Sequence, residues 1–139
     1  MPIISQLQTN AKTILVVDDD DFVTAYVHTL LNKLGYSAKV CHTGMQALAM
    51  AVKVKPDCIL LDLDMPELDG FEVLRLRQKM PEIIDIPIVV LTASHRKEDV
   101  DRSLALGAKG YIAKPVDEKR LAQRLDRLVP SPMFCEPDT

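Results

Sequence analysis

Apolar positions in this chain fall into short continuous runs separated by longer stretches of helical period. Thr13 to Asp18 (TILVVD), Tyr36 to Cys41, Cys58 to Asp62 (CILLD), Pro87 to Thr92 (PIVVLT) and Lys109 to Ala113 are brief runs rich in β-branched residues, and each predicts a strand. From Asp20 the period changes: Val23, Val27, Leu30, Leu31 and Leu34 fall on one helical face, which Gly35 ends. Thr43, with Gln46 three residues on, has the pattern of a capping box opening a helix that carries Leu48, Met50, Ala51 and Val54 and stops before Pro56. A third helix is predicted from about Phe71 to Met80 and a fourth from about Arg96 to Leu106, closed by Gly107. Asp117 caps a last helix ending near Leu128.

Five β–α units in succession predict an α/β fold, a doubly wound (βα)5 parallel sheet with helices on both faces. Unbroken apolar runs fit strands covered on both sides. Residues 12–129 form the expected domain, between a flexible N-terminal arm at 1–11 and a disordered C-terminal tail at 130–139 with three prolines. No second domain is expected after Leu128.

In such a sheet, ligands and chemistry collect at the carboxyl ends of the strands. The first strand ends in Asp18 and continues as Asp19, Asp20 and Asp21; the third ends in Asp62, the fourth in Thr92, and Lys114-Pro115 follows the fifth. Taken singly these are ordinary features: acids at a helix start meet the dipole, and a strand-end Asp caps a turn. Taken together they bring acid, acid, hydroxyl and cation to one edge.

Clustered carboxylates repel and call for a compensating cation, and hard oxygen ligands suit Mg²⁺. Asp18, Asp19, Asp62 and the backbone carbonyl of Asp64 are the candidate ligands. A carboxylate beside a divalent ion, a hydroxyl and a lysine can accept a phosphoryl group. Asp62 would be the nucleophile, with Thr92 and Lys114 binding the transferring oxygens.

These residues resemble the response-regulator receiver family, the chemotaxis-regulator-like superfamily, over Lys12 to Leu128. The match rests on VVDDDD with Asp18 and Asp19, LLDLDMPELDG with Asp62, PIVVLTA with Thr92, and GAKGYIAKP with Tyr111 and Lys114. The resemblance implies a flavodoxin-like fold with strand order 2-1-3-4-5, a cis Lys114–Pro115 bond, and Mg²⁺ or Mn²⁺ as cofactor. It implies a phosphohistidine donor on a sensor histidine kinase or histidine phosphotransfer protein. It also implies a switch in which Thr92 moves toward the phosphoryl group and Tyr111 swings inward, reshaping the face of helix four, strand five and helix five. The domain would catalyse only its own phosphorylation and dephosphorylation, act in the cytoplasm, and bind a downstream protein not identifiable from sequence. Asp64 and Ser94, each two residues past a site residue, occupy positions that tune phosphoryl lifetime in the family. Phe22 and Tyr26 lie off the core stripe of the first helix, where they could dock a donor helix or pack against the last helix.

Composition narrows the rest. Net charge is −3, with 47% hydrophobic residues among 139, so neither direct nucleic-acid binding nor a membrane surface is expected. No apolar run is long enough to span a bilayer. Cys41, Cys58 and Cys135 lack metal-ligand spacing, and the first two suit a reducing compartment. Two rival functions remain. Asp62-Leu63-Asp64 resembles the D-x-D start of haloacid-dehalogenase-type aspartyl-phosphate phosphatases, though Pro66 departs from their pattern and their metal pair comes late in the chain. A phosphorylation-independent interaction module on the same fold is the other. An EF-hand from Asp62 to Asp69 is excluded by Pro66 and Glu67.

Overall fold

The computed structural model describes residues 11–94 and 96–129; the expected tail, with Cys135, and all but one residue of the expected arm lie outside them. Strands β1 (Thr13–Val17), β2 (Ser37–Cys41), β3 (Cys58–Asp62), β4 (Ile88–Thr92) and β5 (Gly110–Ala113) alternate with helices α1 (Asp21–Lys33), α2 (Gly44–Val54), α3 (Gly70–Arg77), α4 (Lys97–Ala105) and α5 (Glu118–Leu128). All strand pairs are parallel, in the order β2-β1-β3-β4-β5. Both the fold class and the strand order expected from sequence are borne out.

The unbroken apolar runs arise because each strand feeds two cores. Ile14 and Val16 face one core with Val27 and Leu31 of α1 and Leu121 and Leu125 of α5. Leu15 and Val17 face the other with Ala47 and Ala51 of α2 and Phe71, Val73 and Leu74 of α3. Burying a Leu or Ile side chain in this way contributes roughly 1.5–3 kcal/mol each. Helix α4 buries only Ser103, while Leu104 stays exposed, so little packing holds it to the sheet.

Helix ends follow local chemistry. Thr43 Oγ1 accepts the Gln46 N–H, but Gln46 Oε1 turns to the His42 N–H, so only half of the expected box forms. The full reciprocal box is at α3, between Asp69 and Glu72. That helix ends at Arg77, short of Met80: the N–H groups of Gln78, Lys79 and Met80 bond back three residues, a tightened turn that Pro81 cannot continue. Helix α4 closes at Gly107, whose φ of +107° a side chain would strain.

Gly70 lets α3 start directly under β3. A Cβ there would lie 2.5 Å from the Asp62 carbonyl oxygen and 2.7 Å from Leu63 Cα, both rigid backbone. Gly70→Ala is therefore expected to destabilise the protein by about 2–3 kcal/mol, read as a lower urea midpoint; an unchanged midpoint would contradict this packing.

Candidate functional site

The carboxyl edge of the sheet carries the buried polar side chains Asp18, Asp62 and Thr92. Asp62 closes β3, Asp18 lies just beyond β1, and Thr92 closes β4. The loop after β5 crosses this edge through a cis Lys114–Pro115 bond. It sets Lys114 Nζ 2.7 Å from Asp18 Oδ2 and 3.1 Å from Asp62 Oδ1. One ammonium thus bridges two buried carboxylates contributed by different strands.

The acidic run divides its work. Asp18 Oδ1 accepts the Asp20 N–H at 2.9 Å, turning the chain at the strand end. Asp19 is exposed but offers an oxygen that lies with oxygens of Asp18 and Asp62 inside 4.8 Å of one another. Asp20 caps α1 through the N–H groups of Phe22 and Val23. Asp21 pairs with His42 Nε2 at 3.0 Å.

Burial pushes the Asp62 carboxyl up to about 6, helped by the Asp18 charge and opposed by Lys114 and the Asp64 N–H. Burial also works against the charge on Lys114, but Asp18 and Asp62 outweigh it and hold the ammonium above its ordinary range. Asp18 Oδ2 is fully buried, with the Lys114 ammonium 2.7 Å away as its charge partner. Three clustered carboxylate oxygens and more negative than positive charge fit a small hard cation.

The other predicted residues fall outside this contact set. Thr92 Oγ1 accepts the Ser94 N–H at 2.9 Å. The Asp64 N–H donates to Asp62 Oδ1 at 3.2 Å while its side chain is exposed. Tyr111 stands 40% exposed on the outer face of β5. One link escaped sequence reasoning: the Ser94 hydroxyl donates to Asp99 Oδ2 at 2.8 Å and accepts the Arg96 N–H at 3.1 Å. It supplies the start of α4 with the side-chain bond that Arg96 does not make; Ser-x-x-x-x-Asp spacing alone does not mark it.

The model of the response regulator receiver domain matches residues 14–126. This chain belongs to the response regulator receiver family. The receiver is 37% identical over 114 residues to the phosphate regulon transcriptional regulatory protein PhoB of Pseudomonas aeruginosa, covering 82% of this chain and 50% of that protein. It is 34% identical over 116 residues to the DNA-binding regulator RpaA of Synechocystis, covering 84% and 48%. It spans about half the length of these curated relatives. Among solved structures, the chemotaxis protein CheY4 of Vibrio cholerae superposes with a TM-score of 0.80 at 30% identity, covering 86% of this chain and 99% of that one. The receiver domain of the Pseudomonas aeruginosa sensor histidine kinase PA1611, which has a magnesium ion in its active-site cleft, gives 0.80 at 30%, covering 87% and 99%. The chain is thus a signalling receiver of the two-component type, and the haloacid-dehalogenase reading loses its ground.

Cys41 and Cys58 are buried free thiols. Burial pushes Cys41 up to about 11 and Cys58 up to about 12, leaving both as neutral thiols. Among the described residues, no helix is long and apolar enough to cross a membrane.

Proposed function

We propose that this receiver accepts a phosphoryl group on Asp62 from a phosphohistidine, borne by a sensor histidine kinase or a histidine phosphotransfer protein. The observation that carries the reading is the Lys114 ammonium held between the buried carboxylates of Asp18 and Asp62. An Asp62 oxygen attacks phosphorus, the new O–P bond forms as the P–N bond breaks, and the imidazole leaves with the electron pair. Lys114 shifts onto the phosphoryl oxygens, and the Thr92 hydroxyl donates to one of them. Asp18, Asp19, Asp62 and the Asp64 carbonyl would hold Mg²⁺ or Mn²⁺, which when bound supplies further charge neutralisation at the phosphoryl group.

The domain catalyses only its own phosphorylation and dephosphorylation. Its output is the face of α4, β5 and α5, reset as Thr92 and Tyr111 change position. The weak anchoring of α4, with one buried residue, supports such a shift. In this reading the domain works in the cytoplasm through protein contacts, without touching nucleic acid or membrane directly.

Intact-protein mass after incubation with acetyl phosphate and Mg²⁺ tests the reading. A labile gain of one phosphoryl group in wild type and none in Asp62→Ala is expected. No gain in either would favour the phosphorylation-independent module. Asp64→Asn is expected to change the decay of the phosphorylated form severalfold; equal decay would reduce Asp64 to a solvent-facing residue.

The donor surface is the apolar patch beside the site. Phe22 is 87% exposed and Tyr26 50% exposed, so the packing against α5 open from sequence does not cover them. With Lys114, Pro115 and Val116 they line a surface hollow. Replacing both Phe22 and Tyr26 by Ala is expected to slow transfer from a protein donor about tenfold and to spare acetyl phosphate. Equal slowing with both donors would contradict docking there.

A further inference from the structure

At the amino edge of the sheet, opposite Asp62, lies a hollow of about 320 Å³ that no step above uses. It is lined by Arg77 and Gln78 at the end of α3, Asp85 in the loop into β4, and Gly107 and Lys109 in the loop into β5. Arg77 is 5% exposed. A charge buried this far is ordinarily paired. Among the described residues Arg77 forms no ion pair, and its Nε is buried without a hydrogen-bond partner. Its one hydrogen bond runs from Nη2 to the Ile86 carbonyl at 3.2 Å. Burial lowers its pKa from the ordinary value; Asp85 opposes this, but from beyond ion-pair distance. A guanidinium keeps its proton even so. Gly107 leaves the Nη1 end open, since a Cβ there would stand 3.3 Å from that nitrogen. Lys109 is exposed and likewise forms no ion pair among the described residues. Gln78 Nε2 donates to the Leu106 carbonyl at 2.9 Å, tying the end of α3 to the end of α4 across the hollow.

We propose that this hollow binds a small free oxyanion, a phosphate or a carboxylate, between Arg77 and Lys109. The arginine fork matches the oxygens of either group, and the lysine adds a second positive charge. Packing already fixes Arg77, so little side-chain freedom is lost when the anion binds. Two cations against one carboxylate leave the hollow positive in a chain that is acidic overall at −3. Asp85 is the built-in competitor: it is exposed, and its charge opposes the incoming anion. The inference stands apart from the phosphoacceptor reading, because none of these residues is among the hydrogen-bond or ion-pair partners of Asp62.

The test is a nuclear magnetic resonance titration of the ¹⁵N-labelled full chain, without Mg²⁺ and at constant ionic strength made up with chloride. Inorganic phosphate and succinate are the two probes. The Arg77 Nε–H signal and the amides of Asp85, Ile86 and Gly107 to Lys109 should shift and saturate, while those of Asp18 to Asp20 and Asp62 to Asp64 stay in place. Saturation by one probe alone supports the site and names the group it takes. Arg77→Met, similar in length, should weaken binding about tenfold. Lys109→Gln should weaken it severalfold, and Asp85→Asn should tighten it severalfold. Lys109 and Asp85 are exposed, so these two variants decide the matter even if Arg77→Met fails to fold. Shifts that never saturate with either probe, or that centre on the acidic edge, would overturn the proposal. So would affinity unchanged in both Lys109→Gln and Asp85→Asn. Anion binding in a protein that refuses the phosphoryl group from acetyl phosphate would sink the receiver mechanism and leave this site standing.

Discussion

Asp62→Asn stabilises the fold above about pH 6, and the gain disappears in acid. The ordinary value of the Asp62 carboxyl is 3.8, and in the folded protein it is pushed up to about 6 by burial and by Asp18. The folded state therefore holds this proton more tightly than the unfolded chain. Wild-type stability from this group is greatest below about pH 4 and falls as pH rises toward 6, where the buried carboxyl must ionise. At 1.36 kcal/mol per pH unit the cost is capped near 3 kcal/mol. The neutral amide avoids it, so urea unfolding at pH 8 should show Asp62→Asn more stable by about 1–3 kcal/mol, with no difference at pH 3.5 from this source. Mg²⁺ should narrow the gap at pH 8 by stabilising wild type alone. A variant less stable than wild type at pH 8 without Mg²⁺ would mean that the Lys114 bridge outweighs the burial of the charge.

Lys114→Ala has the opposite sign. It leaves Asp18 and Asp62 facing each other at 0% and 1% exposure without their shared cation. Removing one partner of a fully buried ion pair costs about 3–5 kcal/mol; Lys114 is partly exposed and Asp62 can escape by protonating, so about 2–3 kcal/mol is expected at pH 8. Below pH 5 the loss should shrink, because Asp62 is then neutral. Phosphorylation by acetyl phosphate should slow by about a hundredfold or more, since the lysine also binds the transferring oxygens. The double variant Asp62→Asn/Lys114→Ala separates the two effects: it should recover most of the stability and none of the phosphorylation. If Lys114→Ala is as stable as wild type at pH 8 without Mg²⁺, the bridge contributes nothing to the fold.

What could be read from sequence follows the physics of each element. β1, β3 and β4 were legible because both faces are covered, which writes an unbroken apolar run such as Ile14 to Val17. β2 lies at the sheet edge and is half-exposed, so its place came from the alternation of units more than from its own residues. The end of α3 was overshot because Met80 continues the pattern while the backbone has already tightened ahead of Pro81. In the site, Asp18, Asp62 and Lys114 were legible because strand ends converge in space. The separate roles of Asp20 and Asp21 were not: whether an acid caps a helix or reaches His42 depends on side-chain direction, which spacing does not encode.

The central claim, that Asp62 carries the phosphoryl group, is tested most directly by naming the modified residue. Borohydride reduces an acyl phosphate to an alcohol, so a phosphorylated aspartate becomes homoserine. Reduction of the protein after acetyl phosphate and Mg²⁺ treatment, followed by peptide sequencing, should find homoserine at position 62 alone. Homoserine at Asp18, Asp19 or Asp64 instead would contradict the assignment.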